Sequence, residues 1–147
     1  MFSKGAKEFV VNTLSDWELL AAQLLAYAGD RKKFFLYGEM GAGKTTFIQA
    51  LCRQLGAGEG VVSPSFSLVN EYLYTDPAGK AKALHHLDLF RLANEQEALD
   101  IGVEDYLYDD DYCFVEWPEM LEGLAPADVV RIQIKPERDS VRKVIYL

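Results

Sequence analysis

A glycine-rich stretch with one lysine and two threonines has the spacing of a phosphate-binding loop. From Gly38 to Thr45 the chain reads GEMGAGKT, which satisfies G-x-x-x-x-G-K-[ST] at every fixed position. Backbone N–H groups of such a loop converge on phosphate oxygens, and glycine permits that close approach. The pattern predicts that Lys44 reaches the β- and γ-phosphates of a nucleotide and that the Thr45 hydroxyl binds Mg²⁺. The residues predicted to bind the nucleotide are Gly38, Glu39, Met40, Gly41, Ala42, Gly43, Lys44, Thr45 and Thr46.

The alternative is a glycine-rich turn that binds nothing, and the flanking sequence argues against it. The apolar run Lys33–Tyr37 precedes the loop and is typical of a buried strand. Apolar residues at helical spacing follow the loop, from Ile48 to Leu55, and Gly56 is a plausible helix stop. A strand, a glycine-rich turn and a helix in this order favour nucleotide binding.

A phosphate-binding loop needs a carboxylate on a neighbouring strand to hold Mg²⁺ or orient water. Glu116 ends the apolar run 113–115, and Asp88 lies between Leu87 and Leu89. We therefore predict Lys44, Asp88 and Glu116 as catalytic residues, with Thr45 and Glu116 as metal ligands. Two alternatives stay open: Glu116 could cap the turn that follows it, and Asp88 could pair with an arginine three residues on, Arg91.

Other polar groups have simpler expected roles. His85 and His86 are adjacent on a predicted strand, so they point to opposite faces and cannot share a metal. A structural or hydrogen-bonding role is expected for both. The acidic run 109–111 is expected to be a solvated loop. Trp117 is expected to pack in the core, although its place beside Glu116 could bring it near a nucleotide.

The sequence favours ATP over GTP. An N/T-K-x-D element, which would read guanine, does not occur in the chain. After Glu116 the arginines are Arg131, Arg138 and Arg142, too dispersed for the lid of a small-molecule kinase. We therefore predict an Mg-ATP-binding ATPase. A small-molecule kinase and a non-catalytic nucleotide-sensing adaptor remain as alternatives.

The remaining pattern predicts an α/β fold. Expected helices begin at a capping box, Ser15 to Glu18, and cover 95–99 and 103–108. The segments 68–74 and 83–90 read as a hairpin around a turn at 76–79. Further strands are expected at 9–11, 112–115, 129–134 and 141–147. Together they predict a single P-loop NTPase domain over residues 1–147, with a mixed, mainly parallel central sheet flanked by helices.

Composition limits the partners. With 15 Lys+Arg and 23 Asp+Glu among 147 residues, the net charge is −8 and the sequence pI is about 4.7. This balance disfavours strong unaided binding to tRNA or to an anionic membrane. Cys52 and Cys113 have no paired spacing, and no apolar run is long enough to span a bilayer. We expect a soluble, cytoplasmic protein.

Four motifs in one order resemble the TsaE (YjeE) family of small bacterial ATPases. They are GEMGAGKTT at 38–46, SPSFSLV at 63–69, HLDLFRL at 86–92 and VEWPE at 115–119. The resemblance covers about Ser15 to Glu119. It departs from the usual pattern at Ser65 and Ser67, where Thr is commoner, at Phe90, where Tyr is usual, and at 39–40, where Asp-Leu is usual.

This resemblance implies a role in making threonylcarbamoyladenosine, the modified base beside the anticodon of tRNA. The implied partners are the TsaD–TsaB pair, with ATP hydrolysis resetting that complex between turnovers. By motif position, Lys44 would bind phosphates, Thr45 and Glu116 would hold Mg²⁺, and Asp88 would assist at the metal or the attacking water. Ser65 would fall in a segment that senses the γ-phosphate.

Overall fold

A computed structural model describes residues 5–57 and 68–147, and within them seven strands form one sheet. The strands are β1 Lys7–Val11, β2 Lys33–Tyr37, β3 Val69–Thr75, β4 Ala81–Asp88, β5 Tyr112–Glu116, β6 Val130–Arg138 and β7 Val141–Tyr146. The α-helices are α1 Leu14–Ala28, α2 Lys44–Gln54, α3 Glu95–Asp100 and α4 Val103–Tyr108, and a 3₁₀ helix covers Pro118–Leu124.

The strand order is β1-β7-β6-β2-β5-β4-β3, and the direction of pairing changes across the sheet. The four central strands, β6, β2, β5 and β4, are parallel to one another. The outer strands β1, β7 and β3 pair antiparallel. The predicted α/β fold is confirmed, with parallel pairing confined to the centre of the sheet, and the predicted hairpin is β3–β4.

Helices cover both faces of the sheet, so there are two hydrophobic cores, and β2 contributes to both. All five residues of β2 are buried. Phe34 and Leu36 pack in the core beneath α1 and α2, whereas Phe35 and Tyr37 pack in the core beneath α3 and α4. This two-sided burial explains why the strand reads as a continuous apolar run rather than an alternating one. Among the helices in the described ranges, none is long and apolar enough to cross a membrane.

The start of α1 differs from the prediction. Its N-cap is Thr13 rather than Ser15: the Thr13 hydroxyl accepts from the Asp16 N–H, and Asp16 accepts from the Thr13 N–H. The expected partner of Ser15, Glu18, instead accepts from Arg53 Nε at 2.6 Å. The helix therefore begins with a capping box two residues earlier than the predicted one.

The parallel strands place the candidate residues at one edge of the sheet. β2 ends at Tyr37, immediately before the glycine-rich loop, and the chain then enters α2 at Lys44. Asp88 is the last residue of β4 and stands opposite Glu116, the last residue of β5. Carboxyl ends of parallel strands are where ligands bind in open α/β sheets.

Candidate nucleotide-binding site

The loop at residues 38–43 joins β2 to α2, and two of its glycines are required by packing. A Cβ on Gly38 would lie 2.9 Å from the Ile134 carbonyl oxygen. Gly43 has φ of 113°, and a Cβ there would lie 2.9 Å from the Trp17 ring. Both positions therefore exclude any side chain, in accordance with the fixed glycines of the motif.

The N-terminus of α2 is open to an anion. Its N-cap, Gly43, provides no side-chain hydrogen bond. The first i to i−4 backbone hydrogen bond of α2 runs from the Phe47 N–H to the Gly43 carbonyl oxygen at 2.9 Å. The amides before Phe47 lack intrahelical acceptors and carry the positive end of the helix dipole. They adjoin a cleft of about 270 Å³, lined by Met40, Gly41, Ala42, Gly43, Lys44, Thr45, Thr46, Asp88, Phe90, Glu116 and Trp117.

Lys44 is buried in this cleft. Its Nζ donates to the Gly38 carbonyl oxygen at 2.6 Å and lies 3.3 Å from the centroid of the Trp117 ring. Burial lowers the pKa of Lys44, and the charge of Glu116, with two weaker carboxylate contributions, only partly offsets it. Among the described residues the ammonium contacts one carbonyl and one aromatic face but forms no ion pair, and a phosphate would provide a directly bonded anion.

Thr45 and Glu116, the two predicted metal ligands, are in contact. The Thr45 hydroxyl lies 2.9 and 3.1 Å from the two carboxylate oxygens of Glu116. Hydroxyl and carboxylate oxygens are ligands that suit Mg²⁺, so the donor set fits that ion. The alternative of a carboxylate that caps the following turn does not apply, since the Glu116 oxygens are directed to Thr45 and His86.

His86 is the second partner of Glu116. Its Nε2 lies 2.6 Å from Glu116 Oε2, and both side chains are almost fully buried. Burial raises the pKa of Glu116, but the hydrogen bond and charge of His86, the Thr45 hydroxyl and the charge of Lys44 outweigh it. The pKa of Glu116 is therefore below its ordinary value, and the group is held as a carboxylate.

Asp88 lies in the same cleft but is exposed to solvent. Its carboxylate accepts from the Phe90 N–H at 3.1 Å. Within residues 5–57 and 68–147, the ion pairs do not include one between Asp88 and Arg91. The second alternative from the sequence is thus absent, and Asp88 is free to act from the edge of the cleft.

Two aromatic side chains close one side of the cleft. The Phe90 and Trp117 rings are 5.1 Å apart, and Phe90 is 53% exposed. Trp117 has φ of 58°, one of two left-handed non-glycine residues in the described chain. Such strained positions concentrate at functional sites. Trp117 packs against the core on the α3–α4 side, as predicted, and it also contacts Lys44 at the site.

Two residues that sequence reasoning did not place at the site contribute to it. His86 was expected to have a structural or hydrogen-bonding role, and it bonds Glu116. Arg142 was one of the dispersed arginines, and its guanidinium contacts the loop at Ala42. Side chains alternate between the two faces of a strand, so the spacing of His86 and Asp88 along β4 could have placed both on the side of the cleft. No local pattern identifies Arg142, because its partner is 100 residues away.

The other sequence predictions have mixed outcomes. His85 bonds Glu71 rather than the cleft, which confirms that the two histidines face opposite ways. The run 109–111 is not simply a solvated loop, because Asp109 accepts from the buried Lys33 at 2.6 Å. Ser65 and its segment lie outside the described residues.

The parallel sheet, the loop that leads into α2 and the carboxylate on the neighbouring strand together define a P-loop ATPase-type protein. Comparison with known families makes the class specific. The model of the family "Threonylcarbamoyl adenosine biosynthesis protein TsaE" matches residues 11–144. The chain belongs to the TsaE family, as its four motifs indicated.

Individual relatives agree with this assignment. The chain is 32% identical to a tRNA threonylcarbamoyladenosine biosynthesis protein TsaE from Bacillus subtilis, over 86% of this chain and 76% of that protein. It is 38% identical to the protein of the same name from Synechocystis, over 83% of this chain and 76% of the relative. The crystal structure of YdiB from Bacillus subtilis matches with a TM-score of 0.70 and 25% identity, covering 96% of this chain and 84% of that one.

Proposed function

We propose that this protein hydrolyses Mg-ATP in the formation of tRNA threonylcarbamoyladenosine. The observation that carries the proposal is the contact between Thr45 and Glu116 at 2.9 Å, at the head of α2 and in the same cleft as Lys44. These three groups arise from two separate segments of the chain, and a glycine-rich turn with no ligand does not require them to meet.

The proposed roles follow from the chemistry of each group. Lys44 would exchange the Gly38 carbonyl for a phosphate oxygen, and the amides of α2 would bind phosphate alongside it. Thr45 and Glu116 would hold Mg²⁺, which supplies neutralisation of phosphate charge when bound. Asp88, exposed at the rim, would orient the attacking water.

We further propose that the protein acts with a TsaD–TsaB pair rather than on tRNA directly. Family membership supports this partner. The net charge of −8 also supports it, since tRNA phosphates attract basic surfaces. An ATPase with this charge can serve tRNA modification through protein partners.

The test is phosphate release from Mg-ATP by the purified protein, with and without a TsaD–TsaB pair. We expect slow release alone and faster release with the pair. Glu116→Ala provides the background, because it removes the metal-binding carboxylate and keeps the loop. Thr75→Ala, at the far end of β3, is a matched control for handling.

Three other results would contradict this proposal, and each indicates a different function. Tight ATP binding, with phosphate release that the TsaD–TsaB pair does not change, would contradict the partner proposal. Binding without any hydrolysis, with or without the pair, would make the protein a nucleotide-sensing adaptor. Transfer of the γ-phosphate to a metabolite instead of water would make it a kinase.

A further inference from the structure

Arg142 reaches the glycine-rich loop from outside the cleft. It lies on β7, and its Nε donates to the Ala42 carbonyl oxygen at 2.9 Å. Its Nη2 lies 3.4 Å from the Gly41 carbonyl oxygen. One planar guanidinium thus contacts two successive carbonyl groups of the loop, which a fork of fixed donors can do and a single ammonium cannot.

The guanidinium is itself fixed by the hairpin that carries it. Its Nη1 donates to the Asp139 and Val141 carbonyl oxygens at 3.0 and 3.1 Å. Asp139 has φ of 44°, so the turn between β6 and β7 is tight. Among the described ion pairs, none involves Arg142. Its contacts are therefore with backbone oxygens, as suits a group that holds peptide units in place.

The geometry of the peptide bond gives these contacts a consequence inside the cleft. In a trans peptide the C=O of one residue and the N–H of the next point in opposite directions. Fixing the Ala42 carbonyl toward Arg142 therefore turns the Gly43 N–H away from it. Gly43 lines the cleft, so that N–H is one of the donors available to a phosphate.

We propose that Arg142 is a positioning residue for phosphate binding, which holds the Ala42–Gly43 peptide with its N–H toward the bound diphosphate. The proposal rests on the proposed function, because it takes an adenine nucleotide as the ligand. It assigns Arg142 no contact with the nucleotide. The guanidinium acts through the backbone of the loop, on a donor that ADP and ATP would share.

The test is calorimetric binding of Mg-ADP and of Mg-ATP, without hydrolysis partners, to the wild type, Arg142→Ala and Arg142→Lys. We expect about a 10-fold to 100-fold weaker affinity in Arg142→Ala, by the same factor for both nucleotides, which is the range known for residues that orient metal ligands. Arg142→Lys keeps the charge but loses the fork, so we expect it to resemble Arg142→Ala.

Arg138→Ala is the matched control. Arg138 is exposed on the same hairpin, and its replacement changes the net charge equally. It should bind both nucleotides as the wild type does. Urea unfolding of each variant confirms that binding is measured on folded protein, and Arg142→Lys remains available if Arg142→Ala does not fold.

Three outcomes would overturn the inference. Wild-type affinity in Arg142→Ala shows that the contact is dispensable. Weak binding in Arg142→Ala with full recovery in Arg142→Lys shows a role of charge instead of positioning. Loss of ATP affinity alone places Arg142 at the γ-phosphate. A wild type that binds neither nucleotide would instead refute the proposed function, so the two failures are distinguishable.

Discussion

Replacing His86 by alanine tests whether Glu116 is held as a carboxylate by its neighbours. Glu116 is 4% exposed and is bonded by His86 at 2.6 Å. His86→Ala removes this hydrogen bond to a charged group, while the Thr45 hydroxyl still contacts both carboxylate oxygens. We therefore expect a loss of about 2–3 kcal/mol, close to the contribution of one hydrogen bond to a charged group.

The expected loss depends on pH, and its sign follows from the lowered pKa of Glu116. A carboxyl whose pKa is lower in the folded state stabilises the fold above its ordinary pKa, here 4.5. That stabilisation disappears as the pH falls through the lower pKa of the folded state. The difference between wild type and His86→Ala should therefore be full near neutral pH and shrink as the pH falls below 4.5.

Urea unfolding in a double-mutant cycle isolates the interaction. The cycle compares His86→Ala in the wild type and in Glu116→Gln, which keeps the shape of the side chain and removes its charge. We expect His86→Ala to cost at least about 1 kcal/mol less in the Glu116→Gln background. Equal costs in both backgrounds, or a difference that does not change with pH, would refute this account of the Glu116 carboxylate.

Three further results are expected. Lys44→Ala should abolish or greatly weaken ATP binding, because the phosphates lose their buried cation. An unchanged ATP affinity, measured by calorimetry, would contradict this prediction. Glu116→Ala should keep some nucleotide binding and lose most turnover, and unchanged steady-state phosphate release would contradict it. Burial raises the pKa of Cys52 and of Cys113 to about 12, so neither thiol should react with a disulfide reagent near neutral pH until urea is added; rapid labelling of folded protein would argue against that burial.

The sequence predicted what local pattern determines. The bounds of β2 and α4 match the expected segments, because an uninterrupted apolar run and helical spacing are local signals. The glycine-rich loop was placed correctly between a strand and a helix for the same reason. The motifs predicted that Thr45 and Glu116 lie close together, and in the structure the Thr45 hydroxyl lies 2.9 Å from a Glu116 carboxylate oxygen.

Contacts between distant segments were beyond local pattern. The N-cap of α1 is Thr13, two residues before the predicted one, and Glu18 bonds Arg53 of α2 instead of the helix start. Asp109 was expected to be solvated, and it accepts from a buried lysine 76 positions earlier. Arg142 has no motif around it, and the pairing of β7 with β6 and β1 brings it to the loop. The partners of Glu18, Asp109 and Arg142 are all remote in the chain.

The central position of β2 sets the time at which the cleft can form. Its parallel partner β6 pairs through Phe34 and Val130, which are 130 − 34 = 96 positions apart. Synthesis at about 5–20 residues per second leaves about 5–20 s between the two. During that interval the glycine-rich loop has been made but lacks the strand and the hairpin that fix it. Nascent chains should therefore acquire nucleotide affinity only after β6 and β7 have been made. A ribosome-stalled chain that ends before β6 should not bind added ATP.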